Sequence, residues 1–243
     1  MPVYRLTDEI IFPPTQLADK TGFLAVGGDL CEERLLLAYS LGIFPWYSED
    51  EPILWWSPDP RLVLYPDEIK VSKSLEKIIK KCAFEVTFDA AFEQVINLCA
   101  SAGRRENEGT WIVRDMIDAY CRLHETGFAH SVEAWRDGIL AGGLYGVSLG
   151  GCFFGESMFT LESNASKVAF ACLVKYLKEN SFDLIDCQVS TGHLKRFGAR
   201  EIPRSLFLKH LKKSLGLPTL KGKWRQQSSC LVSIRFASGI MKG

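Results

Sequence analysis

The chain has 243 residues, of which 47% are hydrophobic and 24% are charged, and its 29 basic residues balance its 29 acidic ones. These proportions are those of an ordinary globular protein, long enough for one sizeable core or for a small domain packed on a larger one. Residues Met1 to Glu9 contain no basic stretch before an apolar block, and no run of about 18 apolar residues occurs. A secretory signal and a membrane span are therefore excluded, and the cytoplasm is the expected location.

The first 60 residues predict a small N-terminal domain. Asp29 and Glu32 have the spacing of a capping box, and the apolar run that follows predicts a helix over about 30–41, ending at Gly42. Pro58 and Pro60 preclude a regular helix and mark a bend in the chain. We therefore place a domain boundary near residue 62, between a small domain over 1–62 and a larger one over 63–243.

The larger domain begins with helical patterns and continues with a strand meander. Helices are predicted at 72–81, 89–102 and 113–126. Three strands then follow, separated by the turns Asp137-Gly138 and Gly150-Gly151, so they form an antiparallel meander over 130–135, 139–148 and 152–159. The remaining predicted elements are a buried helix over 164–180, a strand over 183–190, helices over 191–198 and 203–215, and a strand over 229–236. Together they predict an α+β fold.

Several familiar chemistries are disfavoured by what the sequence lacks. It contains no Walker A motif, no glycine-rich dinucleotide loop and no H-E-x-x-H, and its eight cysteines form no C-x-x-C pair, so no metal and no cofactor are expected. Residues 146–150 fit G-x-S-x-G, with Asp186 and His193 in hydrolase order. That motif requires a helix after the serine. A strand follows here instead, so Ser148 is predicted to be structural.

Polar residues intrude into two predicted strands. Strand periodicity places Asp186 and Gln188 on one face, and Glu156 interrupts the apolar strand of the neighbouring meander. A buried carboxylate or amide is costly unless it is hydrogen bonded, so such residues form either a structural network or a functional site. Two acidic intrusions in one sheet favour a site for a cationic or amine-bearing ligand.

Aromatic and basic residues suggest contact with a nucleic acid. Tryptophans 46, 55, 56 and 111 lie in loops or at element starts, where an indole can stack on a base or can simply join two domains. Lysines at helical spacing on 72–81 can follow an RNA backbone or can be a solvated face; they are Lys73, Lys77, Lys80 and Lys81. The same two alternatives hold for the basic block over 202–243, which has no acidic residue.

Eight sequence blocks, spread over nearly the whole chain, carry a family resemblance. They resemble the bacterial leucyl/phenylalanyl-tRNA–protein transferases, and they lie at residues 27–30, 42–46, 55–61, 109–112, 142–146, 155–159, 164–167 and 185–188. The resemblance implies a small N-terminal domain on an acetyltransferase-like (GNAT) domain, whose mostly antiparallel central sheet is flanked by helices.

The resemblance also implies a reaction. Leucine or phenylalanine would pass from aminoacyl-tRNA to proteins that begin with Arg or Lys, marking them for N-end-rule degradation. Modest confusion with methionine is expected, because one methylene contributes only about 1 to 3 kcal/mol to discrimination. The amino acid in the ester is already activated, so the transfer itself requires neither ATP nor metal.

Residue roles follow from the same resemblance. Trp46, Trp111 and Phe153 match positions around the terminal adenosine and the aminoacyl group, and the four lysines match a basic helix near the acceptor stem. The predicted side-chain pocket contains Leu144, Met158, Leu173 and Leu177. For catalysis we expect Gln188 to orient the amine, Asp186 to act electrostatically or as a proton relay, and Glu156 to bind the acceptor.

Two rival functions stay open at this point. An acyl-CoA-dependent N-acetyltransferase of the same fold would need a glycine-rich pyrophosphate loop, which the sequence lacks. A non-catalytic reader of basic protein N-termini would use Glu156 and Asp186 only to bind them.

Overall fold

The structure is a computed structural model that describes residues 4–105 and 112–225. A four-stranded sheet forms the small N-terminal domain, in the order β1-β2-β4-β3, with one helix beside it. Strand β1 is parallel to β2, and the other two pairs are antiparallel. The strands are β1 Tyr4–Leu6, β2 Phe23–Gly27, β3 Phe44–Pro45 and β4 Leu54–Trp56, and the helix is α1 Glu32–Ser40.

A seven-stranded sheet forms the larger part, in the order β11-β5-β10-β9-β8-β7-β6. Only β9 and β10 are parallel, so the sheet is mostly antiparallel, as predicted. The strands are β5 Arg61–Leu64, β6 Glu85–Phe88, β7 Ala129–Arg136, β8 Ile139–Leu149, β9 Cys152–Thr160, β10 Leu184–Asp186 and β11 Arg200–Ile202. The helices are α2 Lys73–Lys80, α3 Phe92–Arg105, α4 Arg114–Glu125, α5 Ala165–Glu179, α6 Gly192–Arg196 and α7 Arg204–Ser214.

Two apolar clusters cover the two faces of this sheet. Alternate residues of β9 belong to different clusters, Phe154 to one and Phe153 to the other, as strand geometry requires. The first cluster includes residues of α1, α3, α4 and α7, and the second includes residues of α2 and α5. Helix α5 has ten of its 15 residues buried, which confirms the predicted buried helix.

The N-terminal sheet and the seven-stranded sheet share the first cluster. The predicted boundary at residue 62 falls inside β5, which pairs with both β10 and β11. The division into two domains therefore stays a prediction, and the described core does not separate at that point.

Local sequence patterns predicted the meander correctly, but they predicted the wrong N-cap for α1. The meander β7 to β9 is confirmed, with left-handed Asp137, Gly138 and Gly150 at its turns. The capping box on α1 is wrong, because the N-cap is Cys31 and the Asp29 carboxylate binds the Cys31 N–H and Arg34. The predicted strand over 229–236 lies outside the described residues. None of the described helices is long and apolar enough to span a membrane.

The predicted strand over 183–190 is much shorter in the structure. Strand β10 pairs with β9 over Leu184–Asp186 and ends there, whereas β9 continues to Thr160. A register shift marks a bulge in β9, where Tyr145 pairs with Ser157 and Gly146 with Gly155, so Glu156 has no partner on β8. Beyond Asp186, the two strands are no longer paired, and this parting places a cleft in the middle of the sheet.

Candidate active site

A cavity of about 700 Å³ lies where β9 and β10 part. Its lining combines apolar side chains with polar ones, and the polar ones include Glu156 and Gln188. The apolar lining includes Leu144, Phe153, Met158, Phe170, Leu173 and Ile185. A cavity of this size and mixed character is typical of a small-molecule site.

Glu156 is the most perturbed acid of the cavity. The bulge in β9 turns its side chain toward the small N-terminal domain, where it is 9% exposed. Its carboxylate accepts hydrogen bonds from the Tyr39 hydroxyl at 2.8 Å, the Tyr120 hydroxyl at 3.1 Å and the Gln188 amide at 2.8 Å. Burial raises the pKa of Glu156 to about 7, against the opposing effect of these donors, and the nearby charge of Asp186 raises it further.

Two phenol groups, those of Tyr39 and Tyr120, contact the Glu156 carboxylate. Tyr39, Tyr120 and Glu156 make three mutual contacts, since the two hydroxyls also touch each other. Burial keeps the pKa of both phenols well above the usual value, so each hydroxyl retains one proton. Both hydroxyls are therefore available as donors to the carboxylate, and they oppose the effect of burial on it. A pKa of about 7 leaves Glu156 partly charged and partly neutral at neutral pH.

Gln188 reaches Glu156 because the chain turns sharply after β10. Its backbone is left-handed, with φ of 57°, and its N–H donates to the Asp186 carboxylate at 2.9 Å. The turn directs the side-chain amide across the cleft to Glu156. Gln188 and Glu156 both line the cavity, so this amide and this carboxylate form one polar pair at its end.

Asp186 lies behind this pair, not beside it. Its side chain is fully buried and accepts two hydrogen bonds from Arg61, at 2.8 and 2.6 Å. It is absent from the residues that line the cavity. The predicted common face for Asp186 and Gln188 is therefore wrong, because the strand ends at Asp186 and the left-handed turn redirects the next polar side chain.

The pocket prediction holds for three of its four residues as far as position is concerned. Leu144, Met158 and Leu173 line the cavity, and so does Phe153. Leu177 is fully buried on α5, one turn beyond Leu173, and is not a lining residue. Its place in the core explains its apolar character without a ligand.

Of the predicted nucleic-acid contacts, Trp46 and the four lysines are exposed, whereas Phe153 is buried at the cavity wall. Trp46 follows β3 and is 41% exposed, and its carbonyl accepts a hydrogen bond from the Trp56 indole at 2.7 Å. Trp111 lies outside the described residues. Helix α2 buries Leu75 and Ile79 against the core and leaves its lysines in solvent, namely Lys73, Lys77, Lys80 and the C-cap Lys81.

Sequence reasoning missed three residues that build the site. Tyr39 and Tyr120 donate to Glu156 from α1 and α4, and Arg61 holds Asp186 from β5. Their signal in the sequence is weak, because a tyrosine on an apolar helix face is ordinary core. Within 4–105 and 112–225, no group of three His, Cys, Asp or Glu side chains is arranged to hold a metal ion.

Comparison with known proteins decides the family. The family profile described as "Leucyl/phenylalanyl-tRNA protein transferase" matches residues 63–212, and the profile of the N-terminal domain of that family matches residues 28–59. The chain belongs to this family. The resemblance seen in the sequence blocks is thereby confirmed, and the protein is an aminoacyltransferase of the leucyl/phenylalanyl-tRNA–protein transferase family.

Individual relatives of the leucyl/phenylalanyl-tRNA–protein transferase family are similar over almost their full length. One from Desulfatibacillum aliphaticivorans is 59% identical, covering 94% of this chain and 98% of its own length. One from Anaeromyxobacter sp. (strain Fw109-5) is 60% identical, covering 92% of this chain and 95% of its own length. Both carry the name leucyl/phenylalanyl-tRNA–protein transferase.

Similarity to solved structures is distant. L-PGS from Bacillus licheniformis aligns with a TM-score of 0.38 and 12% identity, covering 69% of this chain and 53% of that chain. A likeness at this level does not assign the fold family, so the acetyltransferase-like assignment stays a prediction.

Proposed function

We propose that this protein transfers leucine or phenylalanine from aminoacyl-tRNA to the α-amino group of cytoplasmic proteins that begin with Arg or Lys, which marks them for N-end-rule degradation. The observation that carries the proposal is the cavity between β9 and β10, where an apolar pocket ends at the Glu156–Gln188 pair. Family membership indicates aminoacyl-tRNA as the donor. The cavity offers a place for the side chain of the transferred amino acid next to Glu156 and Gln188, which can bind an amine and accept its proton.

The apolar lining supports selection of a large hydrophobic amino acid. Leu144, Met158 and Leu173 line the cavity and offer apolar contact area to such a side chain. Discrimination in such a pocket rests on shape, and one methylene contributes about 1 to 3 kcal/mol. Leucine, phenylalanine and, more weakly, methionine therefore fit, and charged side chains are excluded by the cost of their desolvation.

The chemistry is aminolysis of an ester. The acceptor nitrogen bonds to the aminoacyl carbonyl carbon, the bond from that carbon to the ribose oxygen breaks, and the ribose oxygen leaves as a hydroxyl. A free α-amino group has a pKa of roughly 7.7 to 8.0, so it must reach the carbonyl unprotonated and lose one further proton during attack. The proposed base is Glu156, whose pKa of about 7 lets it take that proton and return it to the ribose oxygen.

Gln188 is proposed to orient the amine. Its amide nitrogen is engaged by Glu156, so its amide oxygen is the atom available to accept a hydrogen bond from an incoming amine. Asp186 is proposed to support this arrangement from behind, since its carboxylate is engaged by Arg61 and the Gln188 N–H. Most of the rate gain then comes from holding ester and amine together.

The tRNA is proposed to bind across two surfaces. Trp46, whose exposed indole can stack on a base, and Phe153 at the cavity wall are proposed to contact the terminal adenosine and the aminoacyl group. Trp111, outside the described residues, is proposed to contribute on the family resemblance alone. The four lysines of α2 and its C-cap are proposed to track the acceptor stem by charge. An acetyltransferase-like core is proposed as the ancestral frame, with aminoacyl-tRNA in the place of acetyl-CoA.

A mass measurement tests the proposal. The protein is mixed with Leu-tRNA or Phe-tRNA and a peptide that begins with Arg, and the expected product is heavier by one leucine or phenylalanine residue. A peptide with a blocked N-terminus is the control and should stay unchanged. An unchanged mass for the free peptide would favour the non-catalytic reader, and an acetylated peptide formed from acetyl-CoA would favour the acetyltransferase.

A further inference from the structure

A buried arginine outside the cavity connects to the Glu156–Gln188 pair. Arg61 is 1% exposed, and its guanidinium forms a two-pronged contact with Asp186, at 2.8 and 2.6 Å. Burying two charges carries a desolvation cost that their attraction roughly offsets, so an apolar pair of similar volume would stabilise the fold equally well. Stability alone therefore does not explain why an ion pair occupies this position.

Arg61 is held rigidly on its other sides. Its guanidinium lies between the rings of Phe44 and Phe207, at 4.8 and 4.7 Å from their centroids, and donates to the Gly42 carbonyl at 3.2 Å. Gly42 has φ of 72°, and a Cβ there would approach Phe207 and Leu208 to 2.8 Å. The turn that supplies the carbonyl therefore requires glycine at this position, and its carbonyl, the two rings and Asp186 together hold the guanidinium.

The fixed carboxylate of Asp186 in turn holds the backbone of Gln188. The carboxylate oxygen that binds the Arg61 Nε also accepts the Gln188 N–H at 2.9 Å. A non-glycine residue at φ of 57° is strained by about 1 to 3 kcal/mol and persists only when its surroundings determine it. The hydrogen bond between the Asp186 carboxylate and the Gln188 N–H holds the backbone in this conformation. The turn then directs the Gln188 amide to Glu156 at 2.8 Å.

We propose that Arg61 is a positioning residue for aminoacyl transfer, acting through Asp186 to hold Gln188 against Glu156. The inference rests on the proposed function and extends it to a residue that does not touch the cavity. Without the guanidinium, Asp186 can turn away from the Gln188 N–H, the left-handed turn relaxes, and the amide oxygen no longer meets the amine. Misplacement of a catalytic group by about 1 Å can lower the rate 100-fold.

The test uses a variant in which neither charge is left buried alone. In the full chain, Arg61→Met with Asp186→Asn removes both charges together, and thermal melting checks that the variant is folded. We expect kcat for transfer of leucine to an Arg-initiated peptide to fall at least about tenfold, with KM for the peptide within about twofold of wild type. The control is Arg136→Met with Glu162→Gln, which removes another arginine–carboxylate pair, one whose members do not line the cavity, and kcat should stay within about twofold.

Dependence on Gln188 separates positioning from general loss of structure. If Arg61 acts through that amide, the double change adds less than about twofold to the loss caused by Gln188→Ala, whereas independent effects would multiply. Full multiplication, or a folded double variant with wild-type kcat, would overturn the inference. If the double variant does not fold, Arg61→Lys replaces it, because it keeps the charge and loses the two-pronged contact; a wild-type kcat there would also overturn the inference. Absence of product from the wild type would instead refute the proposed function.

Discussion

At the scale of single residues, the site depends on how protons are shared around Glu156. Its carboxylate has three donors, and burial still raises its pKa to about 7. For a general base this value is well matched to neutral pH, because the group is partly deprotonated and yet basic enough to take a proton. A surface glutamate with an ordinary pKa would be ionised but much less basic.

The first prediction concerns the rate. If Glu156 is the base, kcat of the wild type rises with pH through about 7 as the carboxyl group loses its proton. Glu156→Gln should lower kcat about 100-fold or more and remove the part of the rise that is centred near about pH 7, leaving only the rise toward about pH 8 that comes from deprotonation of the acceptor amine. The measurement is kcat at saturating substrates between pH 5.5 and 8.5, chosen as roughly the range of general-base titration. An unchanged rise in the variant would assign the proton to another group.

The second prediction concerns stability and has the opposite sign. The pKa of Glu156 is higher in the folded protein than in the unfolded one, so the unfolded chain binds fewer protons between about pH 4.5 and about 7, and the fold loses stability as pH rises through that window. Gln has one donor and one acceptor edge, like the protonated acid, and carries no charge. We expect Glu156→Gln to be more stable than wild type at pH 8, by roughly 3 kcal/mol at most, with no gain at pH 4. Urea unfolding at both pH values measures it, and a variant less stable at pH 8 would contradict it.

At the scale of elements, α5 offers a matched pair of leucines. Leu173 lines the cavity and Leu177, one turn later, does not. Either change to alanine removes buried side-chain volume and should destabilise the fold by about 2 to 5 kcal/mol. Only Leu173→Ala should alter selectivity, raising kcat/KM for Phe-tRNA relative to Leu-tRNA about tenfold, because the enlarged pocket fits leucine poorly. An equal shift from Leu177→Ala would place that residue in the pocket after all.

Helix α2 gives the prediction for tRNA binding. Changing Lys73, Lys77, Lys80 and Lys81 together to alanine should raise KM for aminoacyl-tRNA, reduce its dependence on salt and leave kcat unchanged, because phosphate contacts act by charge. The comparison variant is Lys209→Ala with Lys212→Ala on α7, which tests the C-terminal basic block. A larger rise in KM from the α7 variant would indicate that the tRNA binds on the side of the sheet that α7 covers.

Elements defined by local pattern were the predictable ones. The hairpins of the meander and the buried helix α5 follow from turn residues and periodicity within a short stretch. The short strands β5, β6 and β11 were missed, since each has three or four residues and exists through pairing with distant partners. Strand β10 ends at Asp186, whose carboxylate is bound by Arg61, 125 residues away in the chain, and no local pattern reports such a contact.

The candidate site shows the same division between local and distant information. Glu156 and Gln188 stood out because polar residues in apolar strands are costly. The phenols that surround Glu156 come from residues 117 and 36 positions away and look like core in the sequence. Family resemblance named the pocket, and only the coordinates separated Leu173 from Leu177.

At the scale of the whole molecule, the two sheets share one apolar cluster. Leu35 and Trp55 of the small domain belong to the same cluster as Phe154 and Phe207 of the larger part. The Arg204 N–H also binds the Asp59 carboxylate at 3.0 Å across the join. We expect one cooperative thermal transition, with equal calorimetric and van't Hoff enthalpies, because the buried apolar residues of the N-terminal sheet and α1 all belong to the cluster that is shared with the larger part. Two separate transitions would show that the parts fold independently.

The phenol of Tyr39 connects the shared core to the chemistry proposed for Glu156. It belongs to α1 of the small domain, and its hydrogen bond helps to keep the pKa of Glu156 from rising further. The acidity of the reaction centre is therefore set jointly by both parts of the chain. A tilt of α1 that withdrew this hydroxyl would raise the pKa of Glu156, so a smaller fraction of the proposed base would be ionised at neutral pH and transfer would slow. The seating of the small domain on the larger part would in this way set how much of the proposed base is active.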